Sequence, residues 1–170
     1  MWTNPQFWLV FLGVAILMEP WSMWVHSKLW HGPLWWGHKS HHEPRAGSLE
    51  LNDVFAAVHA PLAIFLIIYG FEGGPSEFHE MVVATGFGMT LFGVAYFLVH
   101  DGFIHGRLPL GFLERYSYFR RVRNAHNAHH LKEDVPPYGL FLGPQEVRRY
   151  QRQRALERRR QRAVHSASRA

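Results

Sequence analysis

Thirteen histidines occur in the 170 residues, and ten of them fall into a device used twice. His38, His41 and His42 read H-x-x-H-H, and so do His126, His129 and His130. Upstream of each triplet lies a second pattern, H-x-x-x-x-H-G, made by His26, His31 and Gly32 and again by His100, His105 and Gly106. Helix positions i, i+3 and i+4 share a face, so each triplet is expected to aim three imidazoles at one point. The i, i+5 pairs are harder to place, because on a straight helix of 3.6 residues per turn their rings diverge by about 140°. Either the helix ends between the two, which Gly32-Pro33, Gly102 and Gly106 allow, or each pair divides between two ions. The spacing does not choose.

One ion of this kind takes about four to six ligands, so ten imidazoles suggest two ions with about five donors each. Zinc, copper, iron and nickel all accept imidazole, but zinc has no redox chemistry and a structural zinc site closes with four ligands. A two-ion, all-histidine site beside an apolar bundle suits iron and dioxygen acting on an apolar C–H bond. Soluble di-iron bundles use Glu and E-x-x-H ligands, and this sequence has no E-x-x-H, so the site would be of another class. Disulfides, cysteine zinc sites and cysteine-ligated clusters are excluded, since there is no cysteine.

The elements that must position these histidines are apolar. Phe7–Val25 carries one charge, Glu19, while Val54–Gly70 and Met81–Val99 carry none. About twenty helical residues cross a hydrocarbon core of ~30 Å. The second stretch is shorter and contains Pro61. A soluble bundle would need more polar surface than this sequence has to cover three such segments. The fold expected is therefore an all-α integral membrane bundle of about three, alternatively four, transmembrane helices. The first segment lacks the basic n-region and A-x-A-like site of a cleaved signal peptide. At 170 residues one domain is expected, membrane-embedded over 1–147, followed by a basic tail over 148–170 read as a frayed helix or disordered segment.

Charge sets the orientation. Lys and Arg are absent from 1–25 and 53–106; Lys28, Lys39 and Arg45 lie between, and fifteen more follow from Arg107 on. By the positive-inside rule the N-terminus and the 71–80 connector face outside, and all four histidine motifs and the C-terminus are cytoplasmic. Ala84-x-x-x-Gly88 and Gly86-x-x-x-Thr90 in the third segment are read as close-packing surfaces.

Taken together, His26-x4-His31-Gly32, the run His38-Lys39-Ser40-His41-His42-Glu43-Pro44-Arg45, Asn52-Asp53, His100-Asp101-Gly102-x2-His105 and Arg123-x2-His126-x2-His129-His130 resemble the bacterial β-carotene hydroxylases. These are membrane non-haem di-iron carotenoid 3-hydroxylases of the fatty acid hydroxylase superfamily, and the likeness runs from about Met18 to Gly143. The resemblance implies two iron ions, dioxygen as cosubstrate, a carotenoid taken from the bilayer, reduced ferredoxin or a similar electron donor, and a bacterial inner membrane. It implies hydroxylation at carbon 3 of β-ionone rings, from β-carotene through β-cryptoxanthin to zeaxanthin. The sequence departs from the pattern in its Arg-rich tail and at Pro136–Gly139, read as a variable loop away from the metals. A fatty acid or sterol hydroxylase or desaturase with the same histidine box is the alternative enzyme. A non-catalytic membrane protein binding metal or haem is the alternative of another class.

Glu19 lies one turn-multiple before His26 and about 10 Å deeper, so it is a candidate to orient a ligand histidine or offset metal charge. Asp101 is a second such candidate, with Glu43 and Asp53 behind it. His59, His79 and His165 belong to no motif and are expected not to ligate. The basic tail suits anionic lipid headgroups, with an acidic ferredoxin as the other partner; nucleic acid is not expected. A reporter fused after Ala170 is expected to be active in the cytoplasm, and activity confined to the periplasm would overturn the orientation.

Overall fold

The computed structural model describes residues 1–44, 47, 49–132 and 135–167, with backbone alone at 56–57 and 163–167. Arg45 of the histidine run and the His165 side chain lie outside the described residues. Among the described residues every regular element is helical. In order they are α1 (Pro5–Val25), a π-helical turn (His26–Trp30), α2 (Trp35–His42), α3 (Asp53–Glu72), α4 (Glu77–Phe97), a second π-helical turn (Leu98–Ile104), a 3-10 turn (Gly111–Arg115), α5 (Ser117–Leu131) and α6 (Gly143–Ala167).

Three of these are long and apolar enough to cross a membrane: Pro5–Trp30, Asp53–Glu72 and Glu77–Ile104. They contain the three expected segments. Their outer faces carry exposed Leu9, Leu12, Ile16, Val58, Phe65 and Val94, as lipid-facing helices do. Apart from Phe7, Glu19 and Phe92, buried positions between them are small or branched, among them Ala63, Val83, Ala84, Gly86 and Gly88. Apolar tails offer no hydrophobic drive for helix association, so close backbone approach must supply it.

Helix α4 is the spine. A Cβ placed on Gly88 would sit 2.6 Å from the Phe11 carbonyl oxygen and 2.8 Å from the Val14 Cβ of α1. One placed on Gly86 would sit 2.8 Å from the Ala63 carbonyl oxygen and 2.7 Å from Ile67 of α3. The two glycines therefore seat α1 and α3 against the same helix. At the end of the third span, Val99, Phe103 and Ile104 of the second π-turn pack with Val122 of α5 and with Leu140 in an apolar cluster. That cluster fixes α5 beneath the ends of the spans. Helix α6 runs unbroken across the 147/148 boundary expected from sequence, and residues 151–162 are exposed all round.

Gly88→Ala or Gly86→Ala is expected to destabilise the bundle by about 1–3 kcal/mol, because the intruding methyl meets backbone that cannot yield. Gly13→Ala has open space around its Cβ and is the control. Thermal unfolding in detergent that moves equally for all three would refute this packing.

Candidate metal centre

Both i, i+5 pairs sit where the helix widens. The His31 N–H bonds the His26 carbonyl at 3.0 Å, and the His105 N–H bonds the His100 carbonyl at 3.0 Å. An i→i+5 bond stacks residues i and i+5 one above the other, which removes the ~140° divergence of a straight α-helix. Neither alternative from the sequence describes this: the helix neither stops inside the pair nor splits it. Gly106, at φ +67°, then turns the chain away in the left-handed conformation that suits glycine at a helix end.

The triplets behave differently from expectation. Nitrogens of His26, His31, His38, His42 and His129 form one group, and those of His41, His105, His126 and His130 form another, each within 4.8 Å. His100 stands beside the second group, its Nε2 3.0 Å from that of His41. Each triplet is thus divided: α2 gives His38 and His42 to the first group and His41 to the second, whereas α5 gives His126 and His130 to the second and His129 to the first. The reason is angular. Residue i+3 lies about 60° to one side of residue i and residue i+4 about 40° to the other, so adjacent rings diverge by about 100°. One i, i+4 pair can chelate; the residue between aims at a neighbouring point.

The tautomers make the case for a cation. His26 Nδ1–H donates to the Tyr138 carbonyl at 2.7 Å, and His38 Nδ1–H to Asn52 Oδ1 at 2.7 Å. His41 Nδ1–H donates to Glu50 at 3.1 Å, His100 Nδ1–H to Asp101 at 3.1 Å, and His129 Nδ1–H to the Val135 carbonyl at 2.9 Å. A neutral ring donating from Nδ1 has only a lone pair at Nε2. Yet the Nε2 atoms of His26 and His38 face each other at 3.0 Å, as do those of His41 and His100. Two acceptors so placed cannot bond to one another. His130 Nε2 is likewise buried without a hydrogen-bond partner. A metal ion shared within each group would satisfy these atoms. At a metal–nitrogen length of ~2.1 Å, donors 3.0 Å apart subtend roughly 90°, which suits five- or six-coordination better than a closed tetrahedral zinc site.

A proton is a poor substitute. Burial, opposed by the Asn52 hydrogen bond, brings His38 down to about 4. Burial and the neighbouring imidazoles bring His105 and His130 to about 3 and hold His41 and His126 well below the ordinary histidine value. The rings are neutral at neutral pH, which is the form that binds metal.

Among the supporting acids, Asp101 meets a histidine directly and Glu19 does not. One Glu19 oxygen accepts the Leu142 N–H at 2.8 Å, 123 residues on in the chain, and the other has no partner. Glu43 is exposed and pairs with Lys39 at 3.1 Å, away from the histidines. Asp53 pairs with Arg107 at 3.0 Å and accepts the Glu50 N–H at 2.9 Å. Glu50 and Asn52 were not singled out as histidine partners from sequence, nor was Arg107; the signal available was three polar residues crowded at 50–53 and the first basic residue after a 61-residue gap. The Pro136–Gly139 stretch, expected to leave the site untouched, instead supplies the Tyr138 carbonyl that holds His26. His59 accepts from Trp21 Nε1–H at 3.2 Å and His79 sits by Ser76; neither is in a donor group.

A family model described as fatty acid hydroxylase matches residues 11–145. A chloroplastic β-carotene 3-hydroxylase of Gentiana lutea is 48% identical over 142 residues, 80% of this chain and 42% of the relative. A chloroplastic β-carotene hydroxylase of Capsicum annuum is also 48% identical, over 79% of this chain and 43% of its own length. The chain therefore spans about two-fifths of the length of these plant relatives. The β-carotene hydroxylase of Pantoea ananas is 39% identical across 80% of this chain and 77% of the relative. No solved structure matches the chain. With the histidine pattern, the helical membrane-span architecture and these likenesses in agreement, the chain belongs to the fatty acid hydroxylase family and, within it, to the β-carotene hydroxylases.

Proposed function

We propose that this chain hydroxylates carbon 3 of carotenoid β-ionone rings, at two iron ions held by the ten histidines. One observation supports this above the others: a cavity of about 410 Å³ leads from between the spans to His38, His41 and His100. Met18, Val25, Ala63 and Phe92 make its walls apolar, and Ala60 and Gly93 leave room between α3 and α4. A polyene soluble only in lipid can enter sideways from the bilayer, with one ring leading. The apolar walls would exclude water and hold the ring carbon beside the facing Nε2 atoms, so orientation rather than acid–base chemistry is the chain's contribution. Iron bound there supplies the redox chemistry: two electrons and two protons reduce dioxygen, one oxygen atom enters the C–H bond and the other leaves as water.

The electrons come from a soluble carrier such as reduced ferredoxin, meeting the site at the cytoplasmic face of an inner membrane where basic α6 also meets anionic lipid. The names of the relatives favour a carotenoid over a fatty acid or sterol.

Expression in a β-carotene-producing bacterium is expected to yield β-cryptoxanthin and zeaxanthin by chromatography. Unchanged β-carotene beside inserted, iron-loaded protein would overturn the assignment. His41→Ala or His129→Ala is expected to abolish product with the spans still inserted, and His59→Ala to retain most of it; full activity in His41→Ala would remove the metal reading. The metal-free protein is expected to lose stability as pH falls below about 6.5. There the unfolded chain's histidines take up protons that the folded ones, at about 3 to 4, refuse, so stability rises with pH across that window and levels above it. A melting temperature unchanged between pH 5 and 7 would contradict this, since pH 5 lies inside the window the shifts define and pH 7 above it.

A further inference from the structure

The loop before α6 supplies acceptors to two rings of the first donor group. Its Val135 carbonyl accepts from His129 Nδ1–H at 2.9 Å, and its Tyr138 carbonyl from His26 Nδ1–H at 2.7 Å. The Tyr138 ring packs on the same group, its centroid 5.6, 5.5 and 5.4 Å from those of His26, His31 and His129. Two acidic side chains hold this loop. Glu19 of α1 accepts the Leu142 N–H at 2.8 Å, at the loop's far end. Glu146, in the first turn of α6, accepts the Tyr138 and Gly139 N–H groups at 2.9 and 3.0 Å, both on its Oε2.

The Gly139 N–H belongs to the same peptide group as the Tyr138 carbonyl. A trans peptide is planar and stiff, with its N–H and C=O pointing opposite ways, so fixing one end aims the other. The contacts therefore run in one line, from the Glu146 carboxylate through that peptide to the His26 ring. A Cβ placed on Gly139 would sit 2.7 Å from Met23 Cγ and 2.9 Å from Glu19 Oε1, so the peptide lies flush against α1. Resting on the two-ion reading above, we propose that Glu146 is a positioning residue for the ligand His26, acting through this single peptide group. Helix α6 thus reaches the metal centre by its first turn, although its later residues are exposed. Without the Glu146 oxygen the peptide is free to turn, and its carbonyl leaves His26. The ring can then carry its proton on Nε2 and donate it to His38 Nε2, 3.0 Å away, which occupies the lone pairs an ion would use. The role needs an acceptor oxygen in the right place rather than a negative charge.

The test uses full-length protein in detergent, freed of metal and labelled with ¹⁵N-histidine. NMR shifts of the two ring nitrogens give each tautomer, and single His→Asn spectra assign His26, His38 and His41. Wild-type His26 is expected in the Nδ1–H form. Glu146→Ala is expected to lose that form at His26 in favour of Nε2–H, with His38 and His41, held by Asn52 and Glu50, unchanged. Glu146→Gln is expected to keep it, because one amide oxygen can accept both N–H groups. So is Glu157→Ala, on the exposed length of α6. An unchanged His26 in Glu146→Ala, or all three rings altered together, would overturn the proposal. Should Glu146→Ala fail to fold, Glu146→Asp, charged but one carbon short, is expected to lose the Nδ1–H form while Glu146→Gln keeps it; the reverse order would overturn the proposal. Co(II) titration against a chromophoric chelator is expected to show one of two equivalents weakened about tenfold in Glu146→Ala, and neither in Glu146→Gln. Two unchanged equivalents in Glu146→Ala would overturn it equally. Wild-type protein that shows the Nδ1–H form at His26 yet binds no metal would instead remove the two-ion reading beneath it.

Discussion

Two imidazole lone pairs aimed at each other across 3.0 Å repel unless a cation lies between them. That constraint organises the molecule. It arises because the opposite nitrogen of each ring is tied up as a donor, to Tyr138 and Asn52 for one facing pair and to Glu50 and Asp101 for another. Remove those acceptors and the rings could turn, exchange tautomers and bond to one another. The acceptors come from every part of the chain beyond the spans: the loop before α3, the second π-turn and the loop before α6. Each of these is anchored separately, by Ser40 Oγ at the Asn52 N–H, by Arg107, and by Glu19 with Glu146. The structure at this end of the bundle is therefore a frame for holding donors apart against their own repulsion.

The bundle above it answers to a different solvent. Lipid gives no reason for helices to associate except contact, and α4 makes contact with two neighbours through Gly86 and Gly88. One turn further on, the same helix opens: Met89, Thr90 and Gly93 border the cavity that ends at the histidines. Tight packing at one level and a gap at the next let one helix both hold the spans together and admit a ligand between them. Having crossed the membrane, it widens into the π-turn that presents His100 and His105 on one side.

The sequence carried much of this. Three apolar stretches marked the spans, and nine of the ten patterned histidines fall into the two donor groups, with His100 beside His41. The partition of those histidines was not legible, because H-x-x-H-H looks like one face until the ~100° between adjacent rings is taken seriously. The i, i+5 pairs could not be resolved either: a π-turn has no residue signature of its own, and it is stable here because the following turn and the packing of Val99, Phe103 and Ile104 hold it. The supporting groups divided by distance. Asp101 was visible as the neighbour of His100, whereas Glu50 reaches His41 only through a folded loop. Glu19, conspicuous as the lone charge in its span, turned out to hold a backbone amide far along the chain. Pro136–Gly139 looked dispensable because a carbonyl acceptor has no side-chain letter by which to be recognised.

The crossed allotment of the triplets sets a timetable for synthesis. Four donors of the first group, His26, His31, His38 and His42, have left the ribosome before the second span begins, yet their fifth, His129, lies beyond the third. The second group has only His41 from that early stretch, with everything else at residue 100 or later. Neither group gathers its full set of donors on a partial chain. The second and third spans are made between the early donors and their late partners, so the growing chain carries four imidazoles of the first group before the fifth exists. A complete donor set thus marks a chain whose three spans have all arrived.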